Sequence, residues 1–168
     1  MKTTNNENIE NKVQIYHITN TSLEMKSDNP QEVLLDTGAS VHIICDKQLF
    51  TKLDTSLNKE TSFLEMADGS KNNSVIEGIG TAKIPVTDKT GTNINITLKN
   101  ALYVPTFNKN ILSVNLAIKE GFKFNFNDLG KECMLSNKGN IVEIRNKNNL
   151  YFINHMSFKK SMSRSIKD

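Results

Sequence analysis

Residues 33 to 40 read Val33-Leu34-Leu35-Asp36-Thr37-Gly38-Ala39-Ser40, and the reading of the fold turns on this stretch. Three apolar residues run directly into Asp-Thr-Gly and a small residue, so a buried strand delivers a carboxylate to a tight loop. At ordinary amino-acid usage, such a string arises by chance in roughly one chain in a thousand of this length. Two readings compete for it. In one, Asp36-Thr37-Gly38 is a plain β-turn closed by an Asx bond. In the other, the loop presents Asp36 for chemistry.

The flanking sequence predicts a mainly β protein. Lys12 to Ile18 alternates apolar and polar residues and reads as a strand. Leu23 to Lys26 and Gln31 to Leu35 flank the turn cluster Asp28-Asn29-Pro30 and read as a hairpin entering the Asp36 loop. Val41 to Cys45 leaves that loop as another strand. Phe63 to Met66 and Val75 to Val86 are the expected arms of a long hairpin around Ala67-Asp68-Gly69-Ser70-Lys71-Asn72-Asn73, a run that tolerates turns and positive φ. Asn93 to Leu98 and Asn100 to Val104 read as two strands, the second stopped by Pro105.

Ser113 to Glu120 carries a serine cap, apolar spacing and Gly121 just beyond, so it is the expected helix. Phe122, Phe124 and Phe126 alternate with polar residues in a last core strand. Cys133 to Leu135 and Ile141 to Ile144 form a hairpin turning at Asn137 to Asn140, and Leu150 to Ile153 is a final strand. No internal repeat is visible. The expected organisation is a polar, disordered tail over 1–11, a main domain over 12–126, a hairpin extension over 127–156 and a basic, disordered tail over 157–168.

The 168 residues suit one domain with tails, and 37% hydrophobic content supports a small core despite a mean hydropathy of −0.43. The formal charge of +3 and pI of about 8.8 are too mild to argue for a nucleic-acid module. No apolar run approaches the roughly 20 residues of a membrane span, and Met1 to Asn8 lacks the apolar core of a signal peptide. Two cysteines, Cys45 and Cys133, make no disulfide framework, so a reducing, cytoplasmic setting is expected. His42 and Cys45 have metal-like spacing, but His17, His155 and Cys133 are scattered singly, so no metal is expected; the two read as half-buried strand residues. Asp46, Asp54 and Asp128 lie in turn-like surface contexts.

The Asp36-Thr37-Gly38 loop resembles the active-site loop of the aspartic proteases, and the order of elements resembles that of a retropepsin, the half-size form. Leu35 to Ser40 followed by His42 is similar to the start of the protease of copia-type (Pseudoviridae) retrotransposons. So are Met66-Ala67-Asp68-Gly69-Ser70, Glu77-Gly78-Ile79-Gly80-Thr81, Ala101-Leu102-Tyr103-Val104-Pro105 and Lys109-Asn110-Ile111-Leu112-Ser113. Asn148-Asn149-Leu150-Tyr151 resembles the segment that joins that protease to the pre-integrase region. These strings are collinear over about residues 31–153. Thr37 replaces the serine usual in copia elements, and neither a Cys-rich zinc knuckle nor an integrase His/Cys motif accompanies them.

The resemblance implies a closed retropepsin-like β-barrel monomer with one short helix, active as a two-fold homodimer. It implies an aspartic endopeptidase that cuts the Gag-Pol polyprotein inside the virus-like particle of a retroelement, with no cofactor and no membrane. Asp36, Thr37 and Gly38 would be catalytic: two copies of Asp36 share one proton, Thr37 hydroxyls bond across the axis, and Gly38 lets substrate backbone approach. Ala39 and Ser40 would sit beside the substrate, with Ala67, Asp68 and Gly69 near the tip of a flap closing over it. Ile111 and Leu112 would buttress the loop from behind. Two other classes stay open. One is an inactive or domesticated binding and dimerisation module, motivated by the short frame opening at Met1. The other, a nucleic-acid-binding linker, rests only on the mild positive charge.

Overall fold

The structure, a computed structural model, describes residues 13–18, 32–66, 68–72, 75–127 and 131–156. The segments 1–12, 19–31, 128–130 and 157–168 therefore lie outside the described residues, as do Ala67, Asn73 and Ser74. With them fall the expected tails, the first arm of the hairpin ahead of Asp36, and Asp128.

The strands are β1 (Gln14–His17), β2 (Glu32–Asp36), β3 (Ile43–Ile44), β4 (Phe50–Asp54), β5 (Ser62–Glu65), β6 (Lys71–Asn72), β7 (Gly78–Thr87) and β8 (Asn93–Tyr103). They continue as β9 (Asn110–Ser113), β10 (Lys123–Asn125), β11 (Cys133–Leu135), β12 (Ile141–Glu143), β13 (Arg145–Lys147) and β14 (Leu150–Asn154). One α-helix, α1 (Val114–Lys119), follows β9 directly, and a short 3-10 turn, Lys47–Leu49, precedes β4. The chain is thus mainly β with one short helix. Among the described residues no helix is long and apolar enough to cross a membrane.

Eight strands form the main sheet in the order β13-β14-β2-β9-β3-β8-β7-β4. Its centre explains the unbroken apolar run before Asp36. A strand covered on both faces has no polar side to show, and Val33, Leu34 and Leu35 are all buried. Val33 and Leu35 enter one apolar cluster with Leu112, Val114 and Ala117, while Leu34 enters a second with Ile43, Leu102 and Ile111. β9 runs parallel to β2, with Leu35 beside Leu112 and Asp36 beside Ser113, and antiparallel to β3 at Ile43 and Ile111. Ile111 and Leu112 therefore do back the loop-bearing strand. The remaining strands make two three-stranded sheets, β1-β5-β6 and β10-β11-β12.

Several expectations need correction. The main sheet is open rather than a closed barrel, since its end strands β13 and β4 do not pair with each other. Phe63 to Met66 and Val75 to Val86 are not two arms of one hairpin. β5 turns back as the short β6, while β7 pairs with β8 and β4 in the main sheet. The expected strand Val41–Cys45 shrinks to Ile43–Ile44, and the aromatic strand to Lys123–Asn125. Asn93 to Tyr103 is one strand, with Asn100 at φ 52 instead of a break. β4 and β13 were not anticipated, and the described antiparallel neighbour of β2 is β14. Met134, Val142, Ile144 and Ile153 join the same cluster as Val33 and Leu35, so residues 131–156 share the core of the main domain.

Gly78 and Gly80 owe their presence to β4. The β4 backbone crosses β7 so closely that a Cβ on Gly78 would stand 2.8 Å from the Asp54 carbonyl oxygen. A Cβ on Gly80 would collide with the carbonyl oxygen of Lys52, at the point where the β7–β8 register also shifts. Gly80→Ala is accordingly expected to destabilise the fold by about 1–3 kcal/mol, the usual cost of overpacking. Urea denaturation checks this; an unchanged midpoint would mean that β4 can move away freely.

Candidate active site

Asp36 ends β2, and the chain leaves the sheet in a bend at Thr37 and Gly38. The Gly38 amide donates to Asp36 Oδ1 at 2.7 Å, so one carboxylate oxygen organises its own loop. Asp36 is 7% exposed, whereas Thr37 and Gly38 face outward. The three expected catalytic residues thus sit together at the surface end of a buried strand.

The loop is clamped from behind by residues at the β9–α1 junction. The buried Ser113 hydroxyl donates to the Ala39 carbonyl at 2.6 Å. The same oxygen accepts the Leu116 amide at 3.2 Å, so Ser113 is also the N-cap of α1. In the first turn of the helix, Asn115 Nδ2 donates to the Thr37 carbonyl at 2.7 Å. The Ser113 amide donates to His42 Nδ1 at 3.0 Å.

At the other end of β9, Asn110 accepts the Cys45 amide at 2.9 Å and the Cys45 thiol at 3.3 Å, and its Nδ2 lies 3.5 Å from His155 Nε2. Burial pushes the Cys45 thiol pKa up, which keeps it protonated. The sequence showed Ser113 only as a helix cap. Its second bond, like the Asn115 bond, depends on β9 lying beside β2.

His42 is fully buried rather than half-buried, just ahead of β3. Because Nδ1 accepts from Ser113, the proton of the neutral ring resides on Nε2. That atom has no hydrogen-bond partner among the described residues. The nearest carboxylate, Glu120 Oε2, is 3.9 Å away, beyond hydrogen-bond range. Burial lowers the His42 pKa to about 4 and raises that of Glu120, the latter opposed by Lys99.

The expected substrate-side residues fall on different elements. Ala39 is 1% exposed and packs into the second apolar cluster. Ser40 is exposed, but its amide donates to the His17 carbonyl at 2.9 Å and its hydroxyl accepts the His17 amide at 2.9 Å. It therefore joins the loop to β1. Asp68 and Gly69 lie at the tip of the β5–β6 hairpin, where Asp68 accepts the Ser70 amide at 2.8 Å and Gly69 adopts φ +81. The tip is linked to the Asp36 loop through β5, β1 and Ser40. Ala67 lies outside the described residues. The site also includes a feature the sequence did not suggest, a cavity of about 370 Å³ bordered by Asp36, Thr37, Phe126 and Tyr151.

Ser113→Ala removes one buried hydrogen bond and a helix cap, so we expect a loss of about 1–3 kcal/mol in urea unfolding. Thr at this position should restore most of the loss, because it keeps the hydroxyl; equal destabilisation by Ala and Thr would argue against the clamp.

His42 makes stability depend on pH. Its folded pKa of about 4 lies below the unfolded value of about 6.5, so the unfolded chain binds more protons between the two. Stability from this group is complete above about pH 6.5 and falls as pH drops toward about 4, by on the order of 3 kcal/mol. Urea midpoints across that window check this, and His42→Gln should flatten the dependence. A wild-type stability that is flat over the window would rule it out.

The comparison with known proteins bears on the same region. Neither a curated protein nor a solved structure matches the chain. The family described as Pol polyprotein, beta-barrel domain, matches residues 33–122, from the strand that leads into Asp36 to the first residue after α1 and its turn. That span is more than half of the sequence, and the chain therefore belongs to the Pol polyprotein beta-barrel domain family, a Pol-derived domain of the retroelement type.

Proposed function

We propose that this chain is an aspartic endopeptidase of a copia-type retroelement, cutting its own Gag-Pol polyprotein as a two-fold homodimer. The observation that carries the reading is the placement of Asp36. A carboxylate ends a strand buried on both faces, takes its Gly38 amide at 2.7 Å, and sits in a loop held by Ser113 and Asn115. A plain Asx turn needs the first of these bonds but none of the clamps behind it. Rigid positioning of a carboxylate serves acid–base chemistry, where misplacement lowers rate steeply.

Hydrolysis of an amide needs a base for the attacking water and an acid for the carbonyl oxygen. Two Asp36 carboxylates brought to about 3 Å on a two-fold axis supply both, because like charges at that distance hold one proton between them. The ionised member takes a proton from water, the other donates to the carbonyl oxygen, and the pair titrates as a unit. Thr37 and Gly38 are exposed on the face where a second loop would meet the first. Membership in a Pol-derived family agrees with a polyprotein substrate.

Asp36→Asn preserves shape and removes the base, so it should lower peptide cleavage by at least about 10⁴-fold while leaving circular dichroism and sedimentation unchanged. Excess Asp36→Asn chains should poison the wild type, and wild-type activity should fall on dilution. Its pH profile should be bell-shaped and centred below neutrality. Cleavage retained in the mutant, or full specific activity in a stable monomer, would overturn the shared Asp36 dyad, and no cleavage by the wild type would favour a non-catalytic Pol module.

A further inference from the structure

His42 lies fully buried behind the Asp36 loop, and its two ring nitrogens are treated unequally. Nδ1 accepts the Ser113 amide at 3.0 Å. Nε2 has no hydrogen-bond partner among the described residues; Glu120 Oε2, on the cap residue of α1, stands 3.9 Å away. The His42 carbonyl is pinned to β8 by the Leu102 amide at 2.9 Å. The strands around it present Ile43, Leu102 and Ile111, all buried and apolar. The charged group facing the ring is Glu120, on which Lys99 of β8 acts in turn. A buried donor left open costs free energy, so the useful end of this ring is the Nδ1 lone pair.

That lone pair heads a short chain of bonds. Fixing the Ser113 amide orients the residue whose hydroxyl donates to the Ala39 carbonyl and caps α1 through the Leu116 amide. Asn115, in the first turn of that helix, then holds the Thr37 carbonyl. A proton on Nδ1 turns the acceptor into a donor, so two N–H groups would face each other where the bond had been. The bond to Ser113 is then lost outright. On the Glu120 side the ring is covered by α1, a helix of six residues with Ile118 53% exposed. A short, partly exposed element opens at less cost than a long ladder such as β7–β8.

We propose that His42 is a positioning residue for Asp36 and also its release: when Nδ1 takes a proton, the Asp36 loop and α1 come loose together while β7 and β8 stay folded. As control of the site this rests on the endopeptidase reading and deepens it; the release itself does not need that reading. In the open form the ring meets water and binds a proton near the ordinary histidine value of 6.5. The closed form resists protonation until about pH 4, because burial disfavours the charge. Opening therefore becomes easier as pH falls from about 6.5 to about 4 and hardly changes above that window. The loop is clamped near neutrality and freed in acid, so the clamp limits activity on its acid side before the shared proton does.

The test is amide hydrogen exchange of the full-length protein between pH 7 and 4.5, comparing Ser113 and Leu116 with the amides of β7 and β8. In the wild type, protection of Ser113 and Leu116 should fall on the order of 30-fold between pH 6.5 and 4.5. At each pH it should also lie below that of β7 and β8. His42→Asn puts Oδ1 where Nδ1 stood, an acceptor that does not titrate, so Ser113 protection should become level with pH. His42→Leu keeps bulk without an acceptor and should leave Ser113 poorly protected at every pH. Flat protection of Ser113 in the wild type, or protection equal to that of β7 and β8, overturns the release; the wild-type profile alone decides this if a variant fails to fold. These readouts need no cleavage, so they judge the release even where no peptide is cut and the endopeptidase reading falls. Where peptide is cut, the acid limb of kcat should move to lower pH in His42→Asn. An unmoved limb overturns His42 as the control of the site.

Discussion

The Ser113 hydroxyl couples the three elements that define the site. It donates to the Ala39 carbonyl in the Asp36 loop and accepts the Leu116 amide at the start of α1, while the Ser113 amide engages His42. A loop of three exposed or small residues has no regular structure to hold it and depends on such outside partners. Ser113 is placed by β9, which lies parallel to β2 on one side and antiparallel to β3 on the other. Asn110 anchors the opposite end of that strand to Cys45 and faces His155. If β9 slipped by one residue, Ile111 and Leu112 would exchange faces and the hydroxyl would leave the Ala39 carbonyl. The apolar core and the position of Asp36 are therefore set by the same register.

The region behind the loop is buried, and its electrostatics follow from that. His42 has one nitrogen satisfied by Ser113 and the other facing Glu120 across 3.9 Å, a gap too long for a hydrogen bond. Burial favours the neutral form of both groups. The proposed dyad would work best on the acid side of neutrality, whereas His42, which supports the loop, favours neutral or higher pH. The two demands overlap only in mildly acidic solution. An acid limb in the proposed peptidase activity would thus contain loss of the fold as well as titration of the dyad.

What the sequence made legible was local. Val33-Leu34-Leu35 announced a strand buried on both faces, and Ser113 with Gly121 bracketed a helix whose caps are Ser113 and Glu120. The hairpin Cys133–Leu135 with Ile141–Glu143 followed from its turn residues, and Gly139 takes the expected positive φ. What failed was long-range pairing. Val75 and Ile76 run apolar into Gly78 to Val86, so the stretch resembled the return arm of the β5 hairpin. The glycines at 78 and 80 in fact record the crossing of β4. β4 itself, Phe-Thr-Lys-Leu-Asp, shows no alternation because most of it is exposed. Nothing local in Leu150 to Asn154 indicates pairing with β2, so the cavity beside Asp36 was invisible as well.

The place of β14 constrains any assembly that brings two copies of Asp36 together. It fills the edge of β2 opposite β9, so the strand carrying Asp36 has no edge left for a second chain. The end strands of the main sheet carry charge instead: Arg145 and Lys147 on β13, Lys52 and Asp54 on β4, all exposed. Charged edge strands resist edge-to-edge pairing. For the proposed homodimer this leaves the loop face, rather than strand exchange along the main sheet, as the place for a two-fold contact. That face carries the exposed Thr37 and Gly38 and the first turn of α1, where Asn115 binds the Thr37 carbonyl. Three residues on, along the same side of the helix, Ile118 is 53% exposed.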